Sequence, residues 1–388
     1  MQSRFSTTFL KPAPVIVAAA ILLQACGGSD SDFAEPASVS ENSTEVASID
    51  DAASNSLPDM YSEVERESAA DTALYADTTA LLYVDLPDEG ENTGASLVEK
   101  ATVVAPTRSD PRVAYWVDPR LSFSSHRKWG PVKQVSGRNT ELWTVSEPGV
   151  VGRGSDYALS RVKDPLSTGK SAFRHRIASN FPKWGSTWRS EISANWSTDG
   201  TNVIRGNEYW MAWAVKFNSD MLQSNSGEAS ILDFHVVPDS HDSNGTSPFH
   251  LFVRNGTMRI QSLSNPNSVT KAAQSTNRKL WEQSNAGDKW HYFVMKARFH
   301  WDNSKKPYIQ IWKATGTGSL VKIVDHAGPN AYNDKATYLP QKFGLYRYDG
   351  WSGPSTRTMY SKGFYVLRAT SGTPALNEQS MLALLKGV

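Results

Sequence analysis

"FHLFVRNGTMRIQSL", residues 249–263, contains two runs of alternating apolar and polar residues on either side of Asn255 and Gly256. Successive side chains of an extended strand point to opposite faces, so each run has one apolar and one polar face. Asn-Gly between two such runs is typical of a two-residue type I′ turn, in which both residues adopt positive φ. The stretch therefore predicts an antiparallel β-hairpin.

The same period of two recurs along the second half of the chain, which lacks any long stretch of helical periodicity. It is seen in "EYWMAWAVKF" (208–217), "HYFVMKARFHW" (291–301), "PYIQIWKA" (307–314) and "SKGFYVLRA" (361–369). The sequence shows no internal repeat of about 40 residues, the length typical of a propeller blade. We therefore predict an all-β protein whose folded part, residues 109–388, is one large antiparallel sandwich.

The N-terminus has the order of an export signal. Arg4 and Lys11 precede an apolar run that ends at Cys26 and is too short to span a bilayer, which indicates a signal peptide over residues 1–25. "LLQACGGS" resembles the lipobox of bacterial lipoproteins, which implies cleavage before Cys26 and lipid on its thiol; an ordinary secretory signal is the alternative. Because Gly27 follows Cys26, we expect an exported lipoprotein at the outer membrane or cell surface of a Gram-negative bacterium.

Charge divides the mature chain into two parts. Residues 27–100 contain 18 Asp and Glu and only two basic residues, whereas residues 101–388 contain 36 Lys and Arg and 21 Asp and Glu, a net formal charge of +15. The acidic stretch has few aromatic residues and predicts a disordered linker over residues 26–108. A basic folded part favours a polyanionic partner. Nucleic acid is disfavoured because the chain has no binding motif for it and carries an export signal.

Three separated strand-like segments place ionisable groups at alternate positions, and therefore on one face of each strand. Such groups are costly to bury in a sandwich core, so these faces are expected to line a solvated cleft. They are Arg189, Glu191 and Ser193 in "WRSEISA", Asp233 and His235 in "SILDFHVV", and Lys342, Tyr346 and Tyr348 in "KFGLYRY".

In the order and spacing of these motifs the chain resembles the jelly-roll polysaccharide lyases, most closely the group of heparin lyase I and glucuronan lyase. The jelly-roll alginate lyases share similar motifs. The resemblance covers roughly residues 135–370 and rests on Arg-x-Glu at Arg189, the strand that ends at His235, and Lys-x-Gly-x-Tyr from Lys342 to Tyr346. It implies a β-jelly roll with a concave substrate groove and cleavage of a uronate-containing polysaccharide by β-elimination.

The resemblance also implies roles for individual residues. Arg189 and Lys342 neutralise the uronate carboxylate, and Tyr346 and His235 exchange protons; a tyrosine does so near neutral pH if neighbouring cations lower its pKa from about 10. Gly344 is expected to leave room for the sugar ring. Further candidates for substrate contact are Asp233, Glu191, Arg347 and Tyr348.

One position departs from the family pattern. Relatives commonly have Gln two residues before the histidine, where this chain has Asp233. An ionised Asp233 would repel a uronate. Its carboxyl is therefore expected to be protonated, turned away from the cleft, or paired with Arg189 or another cation.

The sequence implies no required cofactor. "PDSHDSNG" (238–245) contains oxygen ligands suited to a structural calcium ion, with an ordinary polar turn as the alternative: Asp239, Asp242 and Asn244. Two other functions remain open. One is a noncatalytic carbohydrate-binding sandwich; the other is a glycoside hydrolase, which requires two carboxyls around the bond, although no Glu-x-Asp-x-x-Glu strand is found. We expect a monomer that binds an anionic polysaccharide and attaches to the membrane through lipid on Cys26.

Overall fold

The structure is a computed structural model. It describes residues 103–121, 134–135, 158–167, 169–181, 187–194, 201–235, 237, 247–268, 275–284, 287–347 and 352–388. Internal contacts divide the chain into Met1–Asp51 and Ala52–Val388, and every described residue belongs to the second unit.

Strands dominate the described residues. These residues contain two helices, α1 (Ser219–Leu222) and α2 (Glu378–Lys386), and one 3-10 turn at Asn303–Lys305. The strands are β1 (Val113–Val117), β2 (Gln134–Val135), β3 (Leu159–Lys163), β4 (Ser171–Ala178), β5 (Trp188–Ser193), β6 (Val203–Ile204), β7 (Glu208–Phe217), β8 (Glu228–Phe234), β9 (Phe249–Arg254), β10 (Thr257–Ser264), β11 (Thr276–Gln283), β12 (His291–Arg298), β13 (Tyr308–Thr315), β14 (Val321–Ala327), β15 (Tyr338–Leu339), β16 (Gln341–Arg347) and β17 (Thr356–Arg368).

Two large antiparallel sheets contain most of these strands. The first sheet has the order β14-β13-β12-β7-β17-β4-β3, with β1 also paired to β17. The second has the order β11-β10-β9-β8-β16-β5-β2, and β15 pairs with β6 separately. Neighbours in the sheets are often distant in sequence, as when β16 lies between β5 and β8. The predicted all-β sandwich is confirmed.

The core consists of the apolar residues at alternate positions of both sheets. Trp213 of β7 stacks on Phe293 of β12, with ring centroids 5.3 Å apart. Phe343 of β16 packs against Phe364 of β17 at 5.4 Å, which joins the second sheet to the first. The face of the second sheet that points away from this core is therefore free to carry the polar residues.

The hairpin predicted from "FHLFVRNGTMRIQSL" is present as β9 and β10. Arg254 pairs with Thr257, and the two residues between them have positive φ, 50° for Asn255 and 76° for Gly256. These are the signs that a type I′ turn requires. Neither described helix is long and apolar enough to cross a membrane.

Candidate functional site

The outward face of the second sheet, which we call the polar face, carries two rows of side chains that cross the strands. The first row is defined by paired positions on five neighbouring strands: Arg189 on β5, Tyr346 on β16, Ser230 on β8, Phe252 on β9 and Arg259 on β10. The guanidinium carbon of Arg189 lies 4.3 Å from the centre of the Tyr346 ring, and that of Arg259 lies 5.7 Å from the Phe252 ring. The row is therefore a line of aromatic rings and cations.

The second row runs beside the first and contains Ser193, Lys342, Asp233, His250 and Gln261, again at paired positions of the same five strands. The rows are four residues apart on β5 and β16 but only two apart on β9 and β10. Bulges in β16 and β8 account for the difference. Glu191 of β5 lies between the rows, opposite Gly344.

The side chains at the centre of the polar face are buried, and we call this group of four, Arg189, Glu191, Asp233 and Lys342, the floor. The exposed fraction is 8% for Arg189, 2% for Glu191, 5% for Asp233 and 5% for Lys342, although all four point away from the core. Tyr346 is more exposed than these four. Two cations and two carboxyls therefore lie largely removed from water, where their mutual electrostatic interactions are strong.

Burial changes the protonation of both carboxyls. Desolvation raises the pKa of Glu191 to about 7, against the opposing effect of the Lys342 and Arg189 charges, and the neighbouring Asp233 raises it further. Desolvation likewise raises the pKa of Asp233, again opposed by Lys342 and Arg189. The sequence left three states open for Asp233. An Asp233 side chain turned away from the polar face is excluded, because Asp233 pairs with Lys342 and shares its face of the sheet.

Gly344 allows β16 to approach β5 closely. Its φ is +148°, and a Cβ there would lie 2.7 Å from the Glu191 Cα and 2.9 Å from Nδ1 of His175, and closer still to the Ser190 carbonyl oxygen. The missing side chain therefore makes room for backbone and for the buried His175, and not for a sugar ring as the sequence suggested. His175 donates from Nδ1 to that same carbonyl at 2.8 Å.

His235 is placed differently from the sequence prediction. His235 follows β8, and its backbone N–H donates to the Pro340 carbonyl at 2.7 Å, so it lies level with residue 340. Tyr346 is six residues farther along β16, about 20 Å for a straight strand. The structure does not bring His235 beside Tyr346, and its catalytic role stays a prediction.

His250 was missed at the sequence level and lies on the polar face, directly opposite Asp233. Its ring centroid is 4.9 Å from that of Phe252. Desolvation lowers the pKa of His250 to about 4, so its imidazole is neutral near pH 7. The alternation of Leu251 and Val253 with His250 and Phe252 was the signal that pointed to it.

Arg347 lies on the opposite face of β16 and is fully buried. Its Nη1 donates to the Ser226 carbonyl at 2.5 Å, and its Nη2 donates to Ser352 Oγ at 3.2 Å. The predicted role in substrate contact is therefore corrected to a structural one. Several other predicted positions lie outside the described residues: Tyr348, Cys26, Asp239, Asp242 and Asn244. Within the described ranges, no group of three or more His, Cys, Asp or Glu side chains is arranged to hold a metal ion.

We predict that Glu191→Gln removes one pH dependence of stability. The folded carboxyl, with a pKa of about 7, binds its proton more tightly than the unfolded one, so this contribution is present below about pH 4.5 and is lost as pH rises through 7. From pH 5 to 8 the wild type should lose roughly 1–3 kcal/mol relative to the variant.

Urea unfolding of both proteins at the two pH values measures the difference. His175 and His250, whose pKa values are lowered to about 4, give the opposite slope below pH 6.5 in both proteins, so comparing the proteins cancels it. An unchanged difference between wild type and variant over this range would mean that Glu191 is ionised throughout.

Comparisons with known proteins identify the family of the chain. The polysaccharide lyase family matches residues 130–364. Among curated proteins, none matches the chain. Among solved structures, an endo-β-1,4-glucuronan lyase from the fungus Trichoderma reesei is 17% identical, with a TM-score of 0.43, covering 54% of this chain and 86% of that one.

Two further solved structures are similar. An alginate lyase from the marine Aplysia kurodai has a TM-score of 0.37 and 11% identity, covering 61% of this chain and 99% of that one. The catalytic domain of a glycoside hydrolase family 131 protein from Coprinopsis cinerea has a TM-score of 0.41 and 14% identity, covering 68% of this chain and 96% of that one. Scores of this size transfer no activity to this chain.

Proposed function

Since this chain belongs to the polysaccharide lyase family, we propose that it cleaves a uronate-containing anionic polysaccharide by β-elimination and releases unsaturated oligosaccharides. One observation carries the proposal. Arg189, Lys342 and Tyr346 project from two adjacent strands onto one face of the second sheet, with the Arg189 guanidinium stacked on the phenol ring.

β-Elimination of a uronate needs two kinds of group. A base removes the proton from C5, beside the carboxylate, and the glycosidic oxygen then leaves from C4 with the electron pair and takes up a proton. The intermediate carries extra negative charge on the carboxylate, which is a poor electron sink unless cations or hydrogen-bond donors neutralise it. Arg189 and Lys342 in the floor supply such groups. Their burial strengthens their electrostatic interaction with the substrate carboxylate.

Tyr346 is the group we assign to proton transfer. It is the more exposed member of this cluster, and its phenol extends from the strand that also carries Lys342. The phenolate accepts the C5 proton, and the phenol so formed donates a proton to the departing oxygen at C4. We also assign a substrate hydrogen bond to the neutral imidazole of His250, which lies level with Asp233 and Lys342 on the polar face.

The first row of the polar face suggests the direction in which the polymer lies. A chain laid across the strands passes from Arg189 and Tyr346 over Ser230 toward Phe252 and Arg259. Phe252, which is 3% exposed, forms part of the surface under that path, and Arg259, which is ion-paired with Glu282, places a further cation beside it. The net charge of +15 over residues 101–388 supports a polyanion over a neutral glycan.

Export and anchoring remain part of the proposal. The lipobox-like stretch at Cys26 and the acidic segment after it support a lipid-anchored enzyme on the outer membrane or cell surface, held at a distance by the linker. The motif order supports a place near the heparin lyase I and glucuronan lyase group. A monomer without a required cofactor, with calcium as an optional structural ion, is the simplest form of this enzyme.

A glycoside hydrolase is the second candidate, because Glu191 and Asp233 are two buried carboxyls on the same face. Hydrolysis uses one carboxylic acid and one carboxylate around the glycosidic bond. Here both carboxyls lie in the floor beside Arg189 and Lys342. This arrangement suits binding of the substrate carboxylate better than protonation of a leaving group. The noncatalytic sandwich has no support of this kind, since the family is one of enzymes.

We predict that the purified protein cleaves at least one of alginate, glucuronan and heparin-type polymers, with a rise in the ultraviolet absorbance of an unsaturated uronate. The same polymer with its carboxylates reduced to alcohols should not be cleaved, because the floor cations then have no anion to neutralise. Equal cleavage of the parent and the carboxyl-reduced polymer would contradict uronate recognition.

A further inference from the structure

The floor of the polar face holds a balanced set of buried charges. Arg189 and Lys342 are cationic, and Glu191 and Asp233 are the carboxyls between and beside them. With both carboxyls ionised, the four groups sum to zero, and the floor offers no net attraction to an incoming carboxylate. With one proton on the pair, the floor has a charge of +1, which a bound uronate neutralises.

Each carboxyl has one oxygen without a hydrogen-bond partner among the described residues. Glu191 Oε2 and Asp233 Oδ1 are buried, and neither makes a hydrogen bond within the described part of the chain. Leaving a buried charged oxygen without a donor is costly. A protonated carboxyl in the same place has the opposite need, because its O–H requires an acceptor. A uronate carboxylate on the floor provides one.

Two serine hydroxyls, of Ser230 and Ser247, hydrogen-bond the Asp233 carboxyl, and the other groups around the pair are charged or titratable. From β5 and β16 the charged or titratable neighbours are Arg189, Lys342 and Tyr346, and from β9 the neighbour is His250. The pKa of His250 is lowered to about 4 by burial, so it brings no positive charge near neutral pH. Burial raises the pKa of both Glu191 and Asp233, which favours retention of a proton by the pair.

We propose that Glu191 and Asp233 together carry one proton at neutral pH, and that the protonated carboxyl donates a hydrogen bond to the carboxylate of the bound uronate. The inference rests on the proposed function and deepens it, since it assigns the recognition of the carboxylate to a carboxylic acid as well as to two cations. It gives Asp233 the donor function of the Gln that relatives commonly have at this position. No proton is consumed, because the hydrogen bond forms and breaks with each substrate.

The proton itself is tested without substrate. Infrared difference spectra of the full chain between pH 7 and pH 9 should show the band of a protonated carboxyl disappearing in the wild type. The band should be lost in Asp233→Asn or in Glu191→Gln. It should persist in Asp325→Asn, which changes an exposed carboxylate paired with Lys322 on β14. A wild type without any protonated carboxyl at pH 7 overturns the proposal, whether or not the protein proves to be a lyase.

The donor role is tested by the pH dependence of kcat/KM on the cleaved polymer. Relative to Asp233→Asn, the kcat/KM of the wild type should fall about tenfold per pH unit above neutrality, as the proton is lost; the ratio cancels the ionisation of Tyr346, which both proteins share. Asp233→Asn carries an amide donor at every pH, so its kcat/KM should exceed that of the wild type at pH 9 by about tenfold or more. Glu191→Gln, measured in parallel, keeps the test open if Asp233→Asn does not fold.

Two results separate this inference from the function on which it rests. Uronate cleavage with the same alkaline decline in wild type and Asp233→Asn overturns the donor role and leaves the lyase intact. A protein that cleaves no uronate overturns the proposed function, while the infrared band still decides whether the pair holds a proton.

Discussion

Tyr346→Phe is expected to lower kcat by about 10²–10⁴-fold and to leave KM within a few-fold of the wild type. The substitution removes only the phenolic oxygen that takes the C5 proton. The ring and its stacking beneath the Arg189 guanidinium, 4.3 Å away, are retained. Because the cations that bind the carboxylate remain, the loss should appear in the chemical step and not in binding. Steady-state kinetics on the cleaved uronate polymer measure both constants.

Tyr360→Phe is the matched control. Its ring also lies beside a cation, with Lys216 Nζ 5.3 Å from the ring centre, but on β17 of the other sheet. It should leave kcat and the melting temperature unchanged. His235→Ala provides a second comparison, because its position level with residue 340 predicts a loss below about tenfold, smaller than that of Tyr346→Phe. A folded Tyr346→Phe enzyme with full turnover would remove Tyr346 from the mechanism.

Gly344→Ala is expected to lower the free energy of unfolding by on the order of 3–5 kcal/mol, and Tm by roughly 10 °C. Two costs add. The backbone has φ +148°, and the new Cβ would collide with β5 at the Ser190 carbonyl and at the Glu191 Cα, 2.7 Å away. Both strands that carry Arg189 and Tyr346 would have to separate. Activity should therefore fall even below the melting transition.

Gly316→Ala separates these two costs. Its φ is +59°, and nothing lies within 4 Å of a Cβ built there, so it bears only the backbone term. It should lose about 1 kcal/mol. Denaturant unfolding of both variants measures the difference. Equal losses at the two positions would show that β5 and β16 tolerate a side chain between them.

Much of the fold was accessible from sequence because local rules decide it. The period of two and the Asn255–Gly256 turn predicted β9 and β10 correctly, down to the two positive φ values. The order of strands in the sheets was not predicted. It depends on long-range pairing, such as that of β16 between β5 and β8, which no local pattern specifies.

The same limit explains the outcome for the candidate site. Alternation predicted that the polar residues of each strand share one face of that strand. The sheet brings these faces together, and they carry Arg189, Glu191, Asp233, Lys342 and Tyr346. The register of the paired strands separates His235 from Tyr346. The residue pattern of a single strand does not specify that register. His250 lies on the polar face of a correctly predicted hairpin but outside the motifs of the lyase family, and only the pairing of β8 with β9 brings it opposite Asp233.

Burial was also beyond the sequence. From the sequence, Arg347 was predicted to contact substrate. Its guanidinium is instead fully buried and donates a hydrogen bond to the Ser226 carbonyl. Asp233 was left with three possible states, and only its position level with Lys342 and its nearly complete burial reduced them. In both cases the deciding quantity is the desolvation of a charged side chain, which depends on residues far away in the chain.

The bond left in the product tests the central claim most directly. After digestion of a uronate polymer by the wild type, proton magnetic resonance of the new non-reducing ends should show the olefinic H4 signal of a C4–C5 double bond. After equal incubation with Tyr346→Phe the signal should be weaker by about the factor by which kcat falls. Cleavage by the wild type that leaves saturated ends bearing a hydroxyl at C4 would identify hydrolysis and contradict proton abstraction from a uronate at Tyr346.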